Sequence, residues 1–246
     1  MKKLLSLIVS AIAMVSIASA VTVTTDVAYK TKVLDKGNVI FENTAVAGAE
    51  IEAAGFVVGV NTFNPTEAKT GVVVLGKTLV NQTKSSGLFK RVDTYAGYKF
   101  TAPLADLTLG AAYKSYSKSV QSGGNASNTE LFARLNGNVK GTLLTWDAAT
   151  KVDSKNHTNN VEANLRLPFG FKWVKIAPAV GLGFNDPGAV TIAAFKDSKR
   201  YALVGVGVGY YAKNAVVAAE YYQRRDTFTA PGGVVDGVSF GVHYKL

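Results

Sequence analysis

Cysteine is absent from this 246-residue chain, and histidine occurs only twice. The first absence removes disulfides, thiolate metal sites, cysteine nucleophiles and a lipidated cysteine at a processed N-terminus. Proline is sparse, at 6 residues, while glycine reaches 24 and apolar residues make up 48%. That balance is neither disordered nor collagen-like. Also missing, beyond the first twenty residues, is any long apolar run. The best stretches, Tyr201–Ala212 and Ile176–Asn185, fall short of the roughly 18 uncharged residues that a membrane-crossing helix needs. If the chain spans a membrane it must do so with strands. Strands in hydrocarbon must close into a barrel, because an open edge would strand unpaired backbone groups in lipid.

The first twenty residues have the form of a secretory signal. Lys2 and Lys3 make a basic start, Leu4 to Ile17 is uncharged and apolar, and Ala18-Ser19-Ala20 is a small-x-small cleavage site. Cleavage near Ala20 starts the mature chain at Val21. Losing two lysines leaves 25 basic residues of the 27, against 17 acidic. Residues 1–20 are therefore expected to be removed and 21–246 to fold as one domain.

After Val21 the governing pattern is alternation with period two. Val21, Val23, Val27, Tyr29 and Val33 alternate with Thr22, Thr24, Asp26, Lys30 and Lys32. Leu131, Ala133 and Leu135 alternate with Glu130, Arg134 and Asn136, and Val238, Phe240, Val242 and Tyr244 with Ser239, His243 and Lys245. The pattern predicts twelve strands, over 21–34, 39–53, 55–63, 88–100, 104–117, 128–140, 141–153, 157–169, 173–184, 199–212, 214–226 and 235–246. Short connectors then alternate with mostly longer ones. That is the signature of an all-β, antiparallel, up-and-down transmembrane barrel with short periplasmic turns and longer outer loops. Both termini fall in the periplasm. Gly71–Val80 and Ala189–Phe195 are also apolar, and are read as hairpins or extensions above the membrane; counting them as crossings would make fourteen strands. Pro178 inside a strand of a closed barrel predicts a bulge.

Aromatic residues gather at the strand ends under this topology. Phe56, Tyr98, Phe100, Phe169, Trp173, Tyr210 and Tyr244 lie towards the periplasm, and Tyr29, Phe41, Tyr113, Phe184 and Tyr221 towards the outside. Two outward belts at headgroup level are expected of such a barrel. Trp146 and Phe240 fall between them.

The inward face carries charge of both signs. Lys30, Lys32, Arg91, Lys114, Arg134, Lys151, Arg166 and Arg224 are the candidate lumen-lining cations. An ion-pair network filling the barrel and a wet, selective pore are both compatible with such a face. In the outer half the inward set is seven basic residues, including Lys199, to three acidic, Glu42, Asp93 and Glu130. If a pore is open, that excess predicts weak anion preference. The run Gly205-Val206-Gly207-Val208-Gly209 lacks the helix and acidic residue of a nucleotide site. It leaves a bare inward face that either eases strand coiling or widens the lumen. A serine hydrolase needs a histidine base in contact with serine. His157 falls in an outer loop, and His243 is four residues, roughly 13 Å, along its strand from Ser239. No enzyme activity, cofactor, metal or nucleic-acid partner is expected. Lys90, Arg200 and Arg225 have lipid-facing parity at outer strand ends, and are candidates to meet phosphates of lipopolysaccharide.

The end of the chain, Phe240-Gly241-Val242-His243-Tyr244-Lys245-Leu246, resembles the C-terminal insertion signal of Gram-negative outer-membrane β-barrel proteins. Gly241, Tyr244 and Leu246 match its spacing, with Leu in place of the usual terminal Phe. The resemblance implies location in the outer membrane and recognition by the barrel-assembly machinery. With about twelve strands, the chain is similar to small porin-like barrels. The resemblance implies a narrow passive channel for small polar or anionic solutes, or else a non-conducting structural or binding barrel that acts through its outer loops.

Overall fold

The structure, a computed structural model, describes residues 21–35, 38–66, 72–75, 78–81, 90–116, 127–139, 142–153, 159–171, 173–186, 200–212, 214–226 and 234–245. The signal segment, His157, Ala189–Phe195, Lys199 and Leu246 lie outside these residues.

Among the described residues there is no helix, and fifteen strands. They are β1 (Thr22–Asp35), β2 (Asn38–Ala53), β3 (Phe56–Pro65), β4 (Val72–Leu75), β5 (Thr78–Asn81), β6 (Arg91–Thr101), β7 (Ala105–Tyr116), β8 (Ser127–Asn138), β9 (Thr145–Asp153), β10 (Asn159–Arg166), β11 (Phe169–Phe171), β12 (Val174–Asp186), β13 (Arg200–Tyr211), β14 (Ala215–Asp226) and β15 (Val234–Lys245). Strands β4 and β5 pair only with each other, as the hairpin expected of Gly71–Val80. The rest form one closed antiparallel barrel of twelve staves, in the order β1-β2-β3-β6-β7-β8-β9-β10-β12-β13-β14-β15 and back to β1. Strand β11 continues the line of β10.

The interruption between β10 and β11 is where the proline expectation is corrected. Register runs unshifted through Pro178 on both sides, so there is no bulge. Leu167 N–H donates to Pro178 C=O at 3.0 Å, but Pro178 has no N–H to return. The pair that would exchange two bonds makes one, and the ladder opens at Leu167-Pro168 instead of buckling.

Alternation becomes two faces because successive side chains on a strand point oppositely. Val27, Leu109, Leu131, Leu182, Val204 and Val217 are exposed on the outside, Leu182 by 67%. Those rows suit hydrocarbon. Around the end with the short turns, the expected periplasmic end, Phe56, Tyr98 and Phe100 pack edge-to-face, with ring centroids 5.1 and 4.8 Å apart. Tyr29, Tyr113, Phe184 and Tyr221 are exposed towards the outer end. Two members of the expected pattern move. Phe41 is 5% exposed and stacks on Phe63, which lines the lumen. Trp146 is the second residue of β9, so it joins the periplasmic belt.

Two backbone details shape the lumen. The β2–β3 turn is Ala54-Gly55, with φ of 51° and 83°. Positive φ at both central residues is the tight hairpin geometry whose twist matches the flanking strands. At the opposite end of β2, one extra residue shifts the β1–β2 register between Val33 and Leu34. A bulge of this kind bends its strand and re-aims the next side chains.

Closure itself rests on β1 and β15, paired from Thr24↔Lys245 to Lys30↔Ser239. Beyond the last pair, Thr31 Oγ1 accepts from Val238 N–H at 2.8 Å, and the Tyr222 hydroxyl reaches across to donate to Lys32 C=O. Gly241 faces Ala28 in this seam; a Cβ on it would stand 2.8 Å from Ala28 Cβ and 2.9 Å from Val27 O. Overpacking of that kind costs about 1–3 kcal/mol. Gly241→Ala is therefore expected to lose about that much stability in urea unfolding from phospholipid vesicles, with part recovered when Ala28→Gly is added. Unchanged unfolding of Gly241→Ala would show that the seam tolerates the methyl.

Candidate functional site

Inward side chains divide the lumen into two levels. The outer level is packed. Beyond the register shift Asp35 points inward, where it accepts from Arg91 Nη1 at 2.8 Å and Lys114 Nζ at 2.7 Å, with Lys151 Nζ at 3.8 Å. Arg91 also makes a two-pronged bond to Asp93, at 2.5 and 2.6 Å, and lies 4.7 Å from the centroid of the Phe63 ring. Lys114 reaches Glu130 at 2.7 Å, and Asn128 donates to Asp153. Arg91, Lys114 and Glu130 are each 5% exposed or less.

What distinguishes this level is reach rather than number, and it comes from strand order. Lys114 lies on β7, four staves from β1, and Lys151 on β9, six staves away and hence diametrically opposite. A circular twelve-stave barrel would be roughly 20–25 Å across between backbones. Asp35 nevertheless reaches Lys114 and Lys151, so its ion pairs bridge a lumen that is narrower here than a circular barrel would make it. Thr44, Asn160 and Tyr201 are also fully buried. Asn160 Nδ2 donates to Asn185 Oδ1 at 3.0 Å and to Tyr201 Oη at 3.1 Å, and the Tyr201 hydroxyl donates to Glu162 at 2.8 Å.

Below this level lies a cavity of about 620 Å³, within the usual range of small-molecule sites. Its wall carries seven basic side chains, Lys30, Lys32, Arg91, Lys114, Arg134, Lys151 and Arg166, and seven acidic, Asp26, Asp35, Glu50, Asp93, Glu130, Glu162 and Glu220. Tyr95 donates to Glu50 at 2.7 Å and stands edge-on to Phe132, centroids 6.4 Å apart. Arg134 lies over Phe132, 5.6 Å from its centroid. Gly205 is part of the wall, and a Cβ at Gly207 would touch only backbone oxygens, 3.9 Å away. A Cβ at Gly205 would stand 3.1 Å from Tyr221 O and one at Gly209 3.0 Å from Tyr211 Cε2, so the run combines close packing at its ends with a bare spot at Gly207.

Seven of the eight candidate cations line this cavity; Arg224, 6% exposed, lies towards the outer end of β14 and not in the wall. The basic excess expected at the outer mouth is not present among the described residues. Alternation alone leaves Asp35 in a connector and Asp153 at a strand end, yet both are buried with the groups they face. No composition or spacing marks Asp35, which lies just beyond a register shift. His243 contacts Asp26, not Ser239; pairing the first strand with the last would have found this. Gly241 and Tyr244 lie in the seam strand β15, Tyr244 opposite Thr25 and Ala215. Lys90, Arg200 and Arg225 are exposed at outer strand ends, with Arg225 Nε donating to Gln223 at 2.8 Å.

No family model and no curated protein matches the chain. Among solved structures, it is similar to LpxR from Salmonella typhimurium, at 7% identity and a TM-score of 0.51, covering 91% of this chain and 99% of that one. An outer-membrane channel from Pseudomonas putida F1 aligns at 7% identity and a TM-score of 0.49, over 93% and 96%. The translocator domain of the autotransporter NalP from Neisseria meningitidis aligns at 13% and 0.44, over 99% and 95%. Such likeness concerns fold alone: the chain has the closed antiparallel β-barrel architecture of an outer-membrane protein such as LpxR. It does not choose among the different activities of those proteins.

The bridged level yields a stability prediction. Removing one partner of a buried ion pair leaves charge uncompensated, typically at 3–5 kcal/mol. Asp93 and Glu130 remain to Arg91 and Lys114, so Asp35→Asn is expected at the low end, about 3 kcal/mol, by urea unfolding. Glu52→Gln, in the more exposed pair with Lys99, is expected to cost under about 1 kcal/mol. Equal losses would mean that Asp35 does not hold the level together.

Proposed function

We propose that the protein is a narrow passive channel for small polar solutes. The observation that carries this reading is the 620 Å³ cavity inside a closed barrel, walled by charges of both signs. A lumen meant only to be filled would leave no space of that size. With seven charges of each sign on the wall, simple ions are expected to pass with little preference, so the balance does not support an anionic cargo. The ion pairs of Asp35 narrow the outer end, and flux is set there.

The same ion pairs favour a second reading. A level bridged from β1 to β9 is also what a non-conducting barrel would use as a plug, leaving its outer loops to act.

Planar-bilayer recording separates the two. Wild-type protein is expected to give a small steady conductance, with a zero-current potential near zero across a KCl gradient. Asp35→Asn is expected to give a larger unit conductance and to move that potential towards anions, since one wall carboxylate is gone. Silence from both proteins would favour the non-conducting barrel.

A further inference from the structure

Beneath the bridging ion pairs, the cavity charges are sorted by side. Arg134 on β8 and Arg166 on β10 flank β9. Asp26 on β1, Glu50 on β2 and Glu220 on β14 occupy the opposite part of the ring, since β1 is the sixth stave from β9 among twelve. All five line the cavity. Each stands three to five residues from the periplasmic end of its strand, counting β10 and β11 as one line, so the two sets face each other at one depth. Outside the packed outer level, three wall charges run against this order, Glu162 on the arginine side and Lys30 and Lys32 on the acidic side. Glu162 and Lys30 lie four residues, roughly 13 Å, nearer the outer end than Arg166 and Asp26 on their own strands, and Lys32 lies two residues further out. Glu162 is moreover held by the Tyr201 hydroxyl and Asn164. Asp147, between the arginines, receives Asn164 Nδ2 at 2.9 Å and is not part of the cavity wall.

Opposed walls of opposite sign make a field across the pore rather than along it. A low-dielectric wall around a narrow lumen focuses such a field. A lone ion of either sign is attracted to one wall and repelled by the other, and gains little. A neutral polar solute has only a small dipole to align. A zwitterion can turn its carboxylate to Arg134 and Arg166 and its ammonium to Glu220, Asp26 and Glu50, gaining at both ends.

We propose that the periplasmic half of the lumen selects small zwitterions of the amino-acid type, the transverse field between the arginine and carboxylate walls being the selecting element. This rests on the channel reading above and names its substrate class. Alanine and its uncharged isomer lactamide make the test, because they share composition and nearly share size. Swelling of liposomes containing the whole barrel is expected to show alanine entering faster. Since water-exposed ion pairs are individually weak, the advantage is on the order of threefold. In Arg134→Gln/Arg166→Gln the ratio is expected to fall towards one. Glu220→Gln, a single change on the facing wall, is expected to lower it too, so the result does not hang on one variant; heat-modifiable migration checks that each is folded. Equal entry of the two solutes in the wild type, or a ratio that neither variant moves, overturns the zwitterion selectivity and leaves the channel standing. Entry of neither solute overturns the channel reading and the selectivity with it.

Discussion

A backbone inside hydrocarbon has no water to turn to, so every N–H and C=O must find a partner in the protein. The rest of the molecule is built around that requirement. It forces the strands into a ring and makes the β1–β15 seam as necessary as any hairpin. It also decides where tight approaches are tolerated, as at Gly241 against Ala28. The concession at Leu167 and Pro178 is confined to one missing bond.

Closing the ring creates a second, opposite demand. The outside can hold only apolar rows and aromatic belts, so nearly all strand-borne charge is turned inward. There it must be hydrated or paired. The chain does both, at different depths: it pairs charges at the outer level, where Arg91, Lys114 and Glu130 are buried, and leaves Arg134 and Arg166 exposed below. Buried ion pairs are poor sources of net stability but strict about geometry. Their use here fixes which parts of β1, β6, β7, β8 and β9 come together, and so sets the shape of the outer mouth.

Much of this is legible in the residues. Strand number, strand ends and the inward or outward side of most positions come from period-two alternation, because one face meets lipid and the other water. Seven cations of the cavity wall are readable in that way. What alternation does not encode is any place where the backbone departs from it. Asp35 falls beyond a register shift, and Phe41 is buried beside the same irregularity. Pro178 offers two outcomes, a bulge or a broken ladder, and sequence does not choose between them. Contacts across the lumen, such as Asp35 with Lys151, or across the seam, such as His243 with Asp26, depend on ring order and register together. They emerge only once the ring is closed.

The seam has a consequence for how the barrel comes into being. Every other neighbouring pair of staves joins segments near in sequence, but Thr31 and Val238 are 207 positions apart. Non-local contacts of this kind form late, since chain must be ordered before they can be made. Until then the growing sheet has two free edges, β1 and β15, each a template for pairing with another chain. The rate at which these two edges meet, latched by Thr31 and by Tyr222 reaching over to Lys32, therefore sets how long the chain is open to aggregation. Substitutions at the seam act on assembly, whereas those along the consecutive hairpins act mainly on the persistence of the finished barrel.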